Sequence, residues 1–155
     1  MKTYQAQIQG RGKEVGIVVA KFNEFITKRL YAACVDELVK NGVRKEDITV
    51  VWVPGSFEIP LVALKLAKKK NIDGVICLGA VIKGGTYHFE LVAEGAMYGI
   101  AQVSLMTGKP VIFEVLACET MEQANARSKV KGHNKGRDAA TVVLEMIDLL
   151  SQIKK

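Results

Sequence analysis

The chain has 155 residues, of which 49% are hydrophobic and 25% charged, and its formal net charge is +6. This length predicts one domain (residues 1–155) with a sizeable core, and no apolar stretch is long enough to span a membrane. The N-terminus lacks the apolar region of a secretory signal, and the basic residues are scattered. We therefore expect a cytoplasmic protein that binds neither membranes nor nucleic acid. A small anionic substrate would account for the positive net charge as well as a nucleic-acid surface would.

The first part of the chain predicts two strand–helix units. Residues 2–9 alternate weakly, as in a short edge strand or an arm that reaches a neighbouring subunit. Residues 15–20, VGIVVA, are a continuous apolar run typical of a strand buried on both faces. A second strand follows at residues 48–53, ITVVWV. Apolar residues at helical spacing follow each strand, and Ser56 is placed to cap the second helix.

The second part of the chain continues this alternation. Residues 75–80 predict a third strand, and a helix follows from about residue 87 to residue 105. The strand after Pro110 alternates more than the others, which favours an edge position. Residues 120–123 resemble the capping signal of a short helix. Residues 128–136 are a polar break before the last helix.

Strands and helices thus alternate four times, with no shift in composition that would mark a second domain. This alternation predicts an α/β fold, a three-layer α/β/α sandwich around a four-stranded parallel sheet. Right-handed crossovers give the flavodoxin-like strand order 2-1-3-4. Residues 1–10 are predicted to be an N-terminal arm strand that contacts a neighbouring subunit.

The unusual residues lie just after the predicted strands, where open parallel sheets bind their ligands. Phe22 follows the first strand, Ser56, Phe57 and Glu58 follow the second, and residues 82–88 follow the third. The last stretch passes through a glycine turn into a helix start. A helix start offers free backbone N–H groups and a positive dipole end to an anion. Three loops are therefore expected to converge on one crevice.

Each candidate residue also has an ordinary structural explanation. Phe22 and Phe57 could be core aromatics, but in loops past strand ends they could also stack on a planar ring. Glu58 could be a first-turn helix charge or an acceptor for hydroxyl groups. His88 could be a surface or packed histidine, or a proton carrier beside the anion site. Arg127, near a helix end, could be a solvated charge.

Several other chemistries lack their motifs. The sequence contains no GxxxxGK[ST], which excludes a P-loop protein, and no GxSxG, which excludes a hydrolase elbow. His88 and His133 are the only histidines, and no carboxylate–histidine pattern indicates a metal site. We therefore expect a site without a metal.

Five segments carry a more specific signal: Lys21-Phe22-Asn23, VPGSFEIP at 53–60, GAVIKGGTYHFE at 79–90, MEQANAR at 121–127 and NKGRDAA at 134–140. Together, in this order, they resemble the lumazine synthases over nearly the full chain. The resemblance implies condensation of 5-amino-6-(D-ribitylamino)uracil with 3,4-dihydroxy-2-butanone 4-phosphate. The product is 6,7-dimethyl-8-ribityllumazine, phosphate is released, and the reaction belongs to riboflavin biosynthesis. No cofactor is implied.

The resemblance also implies roles for individual residues. His88 would be catalytic, moving protons during Schiff-base formation and phosphate elimination. The residues implied to bind the pyrimidine substrate are Phe22, Ser56, Phe57, Glu58, Ala80, Val81, Ile82, Phe113 and Lys135. Of these, Phe113 would come from the adjacent subunit. The phosphate-bearing substrate would be held by Gly85, Thr86 and Arg127.

Assembly is a further implication of the resemblance. It implies a homo-oligomer of pentamers, and the lack of an insertion between residues 128 and 134 favours a 60-subunit icosahedral shell, which could enclose riboflavin synthase. Lys129 and Asp138 depart from the family pattern. The shorter Asp138 is expected to weaken a contact that orients Lys135.

Two other functions stay open. One is an archaeal-type riboflavin synthase, which resembles lumazine synthases, and the other is a non-catalytic flavin-binding or shell-forming protein of this fold. The pyrimidine motif at 53–60 and the phosphate residues favour a lumazine synthase, because dismutation of lumazine has no use for a phosphate site. A protein that only forms a shell would need neither Arg127 nor His88, so the presence of both residues argues against that alternative.

Overall fold

A computed structural model of the chain describes residues 1–154. Its strands and helices, in chain order, are β1 (Val15–Ala20), α1 (Glu24–Lys40), β2 (Ile48–Val53), α2 (Ile59–Ala67), β3 (Gly74–Ile82), α3 (His88–Thr107), β4 (Val111–Cys118), α4 (Met121–Ala126) and α5 (Lys135–Ile153). Among these described residues, no helix is long and apolar enough to cross a membrane.

The sheet is parallel throughout, and its order β2-β1-β3-β4 confirms the predicted topology. Val15 of β1 lies opposite Ile48 of β2 and Gly74 of β3. Val75 of β3 lies opposite Val111 of β4. β1 is buried along its whole length, whereas β4 lies at an edge and is only partly covered, as its alternating sequence predicts.

Helices cover both faces of the sheet, which confirms the three-layer sandwich. One core lies between the sheet and α1, α4 and α5, and its buried side chains include Ile17, Leu30, Ile76, Leu78, Ala124 and Leu144. The other lies between the sheet and α2 and α3, with Val18, Ile59, Ala63, Val75, Ile100 and Val103. The continuous apolar runs of β1 and β3 are explained by this double coverage.

The predicted N-terminal arm strand does not form within the chain. Residues 1–10, all of them described, contain no strand. Their polar groups bond to α5 instead: the N–H of Gln7 donates to Asp148 Oδ2 over 2.8 Å, and Gln152 Nε2 donates to the carbonyl of Gln5 over 2.8 Å. Because side chains satisfy these backbone groups, no strand partner in the same chain is needed. Pairing with a neighbouring subunit stays a prediction.

The predicted helix starts are confirmed at α4 and corrected at α2. Thr120 caps α4, since its Oγ1 accepts from the N–H of Gln123 over 3.2 Å. Ser56 does not cap α2, because it opens a 3₁₀ turn, Ser56–Glu58, that occupies the space before the helix. The helix predicted from about residue 87 begins one residue later, at His88.

Candidate functional site

A cavity of about 660 Å³ lies at the carboxyl ends of β1, β2 and β3. Its volume is in the range of small-molecule sites. The predicted residues that line it are Phe22, Ser56, Phe57, Glu58, Ala80, Val81, Ile82, Thr86 and His88. The loops after three strands therefore converge on one crevice, as the sequence predicts.

Phe22 and Phe57 are not core residues. Their side chains are 70% and 60% exposed, although both lie in the cavity wall. A large aromatic side chain gains little by facing water, so these rings are available to a planar ligand. The structure thus excludes the core explanation for both residues.

Asn23 fixes the loop that carries Phe22. It has a φ of 58° and a ψ of 45°, a left-handed conformation that asparagine tolerates better than most residues. Its Nδ2 donates to the carbonyl of Ala80 over 2.8 Å. The N–H of Phe22 also donates to the carbonyl of Pro54 over 3.1 Å. These bonds tie the loop after β1 to β3 and to the loop after β2.

The turn after β2 is packed tightly against the end of β3. Ser56 is buried, and a side chain at Gly79 would place its Cβ 2.5 Å from Ser56 Oγ. The ring of Phe57 has a similar neighbour, because a Cβ at Gly95 would lie 2.5 Å from its Cε2 atom. Glycine at both positions lets the 3₁₀ turn approach β3 and α3 closely.

The glycine turn after β3 leads directly into α3. The N–H of Lys83 donates to the carbonyl of Cys118 over 2.9 Å, which aligns the turn with the end of β4. The N–H of His88 makes a long bond, 3.4 Å, to Thr86 Oγ1. Gly84, Thr86 and His88 line the cavity, and Gly85 lies between the first two. The free N–H groups at the start of this 20-residue helix therefore lie beside the crevice.

Arg127, Phe113 and Lys135 lie outside the cavity wall of a single chain. Arg127 follows α4, and its Nη1 donates to the carbonyl of Gln123 over 2.9 Å. Phe113 is in the middle of the edge strand β4 and is 40% exposed. Lys135 is the first residue of α5. The structure therefore brings most of the predicted residues together but not these three.

Charged groups are concentrated where β4 meets the start of α5. Lys135 Nζ lies 3.4 Å from Asp138 Oδ2 and 3.9 Å from Glu114 Oε1. Burial raises the pKa of Glu114 to about 7, a rise that Lys135 opposes and Asp138 reinforces. The shorter carboxylate of Asp138 reaches the ammonium group of Lys135. That it orients Lys135 less firmly than a glutamate would stays a prediction.

Burial also raises the pKa of the Cys118 thiol, and the guanidinium of Arg127 offsets part of this rise. Arg127 directly follows α4, whose Ala124 packs into the same core as Cys118 at the end of β4. The carbonyl of Cys118 in turn accepts from the N–H of Lys83 in the turn after β3. In the part of the chain that is described, no group of three or more histidine, cysteine, aspartate or glutamate side chains could hold a metal ion.

Some cavity residues have no predicted role in ligand binding. Pro54, Gly55, Gly84, Phe89, Leu91 and Val92 also line the cavity. Phe89, Leu91 and Val92 follow His88 on α3. Their position next to His88 would have been enough to predict that these apolar side chains line the cavity. The alternation of β4 indicates only that Glu114 lies on an edge strand, because its approach to Lys135 depends on a contact between distant segments.

Comparison with known protein families agrees with this geometry. The model of the 6,7-dimethyl-8-ribityllumazine synthase family matches residues 12–151. The matched region includes every loop around the cavity, from Phe22 to His88, and also Arg127 and Lys135. Members of this family are transferases of riboflavin biosynthesis. The chain belongs to the 6,7-dimethyl-8-ribityllumazine synthase family.

Proposed function

We propose that this chain condenses 5-amino-6-(D-ribitylamino)uracil with 3,4-dihydroxy-2-butanone 4-phosphate to form 6,7-dimethyl-8-ribityllumazine, with release of phosphate. One observation carries the proposal: two exposed phenylalanines, Phe22 and Phe57, share a cavity with Thr86 and His88 at the start of α3. Such a cavity has features suited to a planar ring and to an anion, and the reaction needs both.

In this proposal the pyrimidine substrate binds at the ends of β1 and β2. Its ring stacks on Phe22, and backbone groups of Ser56 and Phe57 contact its edge. The carboxylate of Glu58, which lines the same cavity, accepts hydrogen bonds from the ribityl hydroxyls. The apolar end of β3, residues 80–82, forms the floor beside the ring.

The phosphate of the second substrate binds at the start of α3. Gly85 and Thr86 precede this helix, whose free N–H groups and dipole favour an anion. Arg127 adds a guanidinium, which can pair with a phosphate through two hydrogen bonds. Its position directly after α4, which packs beside the end of β4, supports this assignment.

The chemistry then follows from the placement of the two substrates. The aryl amine attacks the ketone carbon and water leaves, which gives a Schiff base. The carbon that bears the free hydroxyl group then loses a proton, and the resulting enamine expels phosphate, which leaves with the electrons of its C–O bond. The enol that remains tautomerises to a ketone. The ribitylamino nitrogen attacks this new carbonyl, and loss of a second water closes the ring. His88, in the cavity wall, carries protons between these steps.

Positioning supplies most of the rate enhancement in this proposal. Holding two reactants in register can contribute up to about 7–11 kcal/mol, whereas one proton carrier adds roughly 10²–10⁴-fold. The condensation of an amine with a ketone needs no cofactor, so a site with one histidine suffices.

The direct test mixes the purified protein with both substrates and follows the absorbance and fluorescence of the lumazine product. Formation of lumazine above the enzyme-free rate is expected. Conversion of lumazine alone, without activity on the pair, would instead identify an archaeal-type riboflavin synthase. Binding of flavin without turnover of either would identify a shell-forming protein.

We also infer that the chain assembles as pentamers that close into a 60-subunit shell. Large apolar side chains remain exposed on α3, among them Leu91, Tyr98, Leu105 and Met106. Monomeric proteins seldom leave such a surface in water. Phe113, exposed on the edge strand, is available to the site of an adjacent subunit.

Light scattering tests this assembly. A particle of 60 chains is expected. A mass near five 16.9 kDa chains would overturn the shell, and the mass of one chain would overturn both levels of assembly.

A further inference from the structure

The backbone of Lys135 is fixed at the start of α5. Its N–H donates to the carbonyl of Arg127 over 2.8 Å. The preceding residue, Asn134, caps the helix by accepting from the N–H of Gly136 over 2.9 Å, and it donates to the carbonyl of Lys129 over 3.0 Å. Lys135 therefore occupies the first helical position, where the helix dipole disfavours a cation.

Two carboxylates near the Lys135 ammonium group offset its unfavourable interaction with the helix dipole. They differ in their exposure to water. Asp138 lies on the same helix and is 45% exposed, so its interaction with the Lys135 ammonium is largely screened by water. Glu114 approaches from the sheet and is only 14% exposed. The ammonium, 35% exposed, is thus held between a surface carboxylate and a more deeply placed one.

Glu114 is unusual among its neighbours on β4. The residues that share its face of the strand, Ile112, Leu116 and Cys118, all pack into or against the core under α1 and α5. Glu114 itself lies opposite Leu78 of β3. A carboxylate at such a position loses hydration, so an apolar residue would be more stable there.

An ordinary explanation exists for a charge on an edge strand. Inward-pointing charges discourage edge-to-edge association of sheets. That explanation does not require a contact with a lysine of another element. A charge that served only to prevent edge-to-edge association would not need this ion pair with Lys135. The ion pair therefore indicates a second role for Glu114.

The charged and titratable groups that face Glu114 come from two helices. Lys135 and Asp138 face it from α5, and the buried thiol of Cys34 faces it from α1. Burial raises the pKa of Glu114 to about 7, so the charge opposite Lys135 changes around neutral pH. Below that pH the carboxyl group of Glu114 is protonated and no longer opposes the charge of Lys135.

We propose that Glu114 is a positioning residue, whose ionised carboxylate holds the Lys135 ammonium in the place from which it contacts the pyrimidine substrate. This inference rests on the proposed function and on the role that the family resemblance implies for Lys135, which is to help bind that substrate. Glu114 does not touch the substrate and acts only through Lys135. Its removal therefore changes the affinity for the pyrimidine and leaves the chemical step unchanged.

The test compares KM for the pyrimidine substrate in wild type and in Glu114→Gln, with the phosphate substrate saturating. We expect the ratio of the two KM values to be about 3–10 at pH 8, the effect of losing one partly shielded ion pair. The ratio should fall to about 1 at pH 5.5, where Glu114 is protonated in wild type as well. Other titrations cancel in this ratio, and kcat should be unchanged at both pH values.

Three further variants separate positioning from a structural effect. In a Lys135→Met background, Glu114→Gln should have no additional effect on KM, because the residue it acts through is gone. Glu114→Asp keeps the charge, so its KM for the pyrimidine substrate should regain part of the pH dependence that Glu114→Gln loses. Glu145→Gln makes the same change at an exposed site on α5, and its KM ratio should be 1 at every pH.

Three results would overturn the proposal: a KM ratio that does not depend on pH, an equal loss in kcat, or a Glu114→Gln effect that persists in Lys135→Met. These results are distinct from a failure of the proposed function. In that case wild type itself would not turn over the two substrates at any pH.

Discussion

Asn23 and Ala80 are joined across the candidate site by a hydrogen bond of 2.8 Å, from the Asn23 side-chain amide to the Ala80 backbone carbonyl. The bond connects the loop after β1 with the end of β3, so it sets the distance between the exposed ring of Phe22 and the floor of the cavity. Asn23 also has a positive φ, 58°. Asn23 thus fixes both the backbone conformation of the turn and the distance between two walls of the site.

Replacing Asn23 should separate these two contributions. Asn23→Ala loses the bond, which contributes about 0.5–1.5 kcal/mol. It also lacks the short polar side chain that lets asparagine adopt a left-handed conformation, which costs other residues with a Cβ about 1–2 kcal/mol. Asn23→Gly loses the bond but tolerates the positive φ. Urea unfolding at a fixed protein concentration should therefore rank wild type above Asn23→Gly and Asn23→Gly above Asn23→Ala. Equal losses in the two variants would contradict the role of the backbone conformation.

Gly95→Ala should affect binding without loss of stability. The new Cβ would lie 2.5 Å from the ring of Phe57, which is largely exposed and can turn away. Alanine is also the better helix former, by about 1 kcal/mol. We expect unchanged or higher thermal stability together with a raised KM for the pyrimidine substrate. In a Phe57→Ala background the same change should leave KM unaltered, and a further rise there would show that the Phe57 ring is not involved.

His88→Ala should slow turnover and leave measurable activity. If the rate enhancement comes mainly from holding two substrates together, removing one proton carrier lowers kcat by roughly 10²–10⁴-fold but not to the enzyme-free rate. Single-turnover kinetics with both substrates measures this directly. Complete loss of activity in a folded variant that still binds both substrates would contradict a mechanism based on proximity.

The stability of Glu114→Gln relative to wild type should increase as the pH rises. The folded-state pKa of Glu114, about 7, lies above its ordinary value of 4.5, so folding favours the protonated carboxyl. Wild type therefore loses stability between about pH 4.5 and pH 7, by about 3 kcal/mol, while glutamine does not titrate. Unfolding at pH 5 and pH 8 should show an advantage of the variant that grows with pH.

Glu145→Gln is the control for this prediction, since its exposed carboxylate should give no such trend. A variant at position 114 that becomes less stable than wild type at high pH would show that Lys135 outweighs burial. A stabilising substitution that weakens substrate binding would indicate that the carboxylate is kept for function.

The fold could be predicted because its signals are local. The apolar run of β1 indicates a strand covered on both faces, and the alternation of β4 indicates an edge. The handedness of crossovers then fixes the strand order. The loops after β1, β2 and β3 follow from this order, which is why Phe22, Phe57 and His88 were assigned to one crevice.

What could not be predicted depends on contacts between distant segments. Nothing in the sequence around Glu114 indicates that Lys135 will face it, and nothing around Asn23 indicates that its amide will reach Ala80. The type and position of Ser56 predict a helix cap, but close packing against Gly79 buries Ser56 in a 3₁₀ turn. The place of Arg127 beside the end of β4 likewise depends on how α4 folds back onto the sheet.

The most direct measurement of the central claim is the stoichiometry of phosphate release. Purified protein should release one inorganic phosphate for each lumazine formed when both substrates are present, at a rate above the enzyme-free reaction. With either substrate alone it should release none and form no lumazine. Phosphate release from the butanone phosphate without the pyrimidine, or turnover of lumazine alone, would contradict the account.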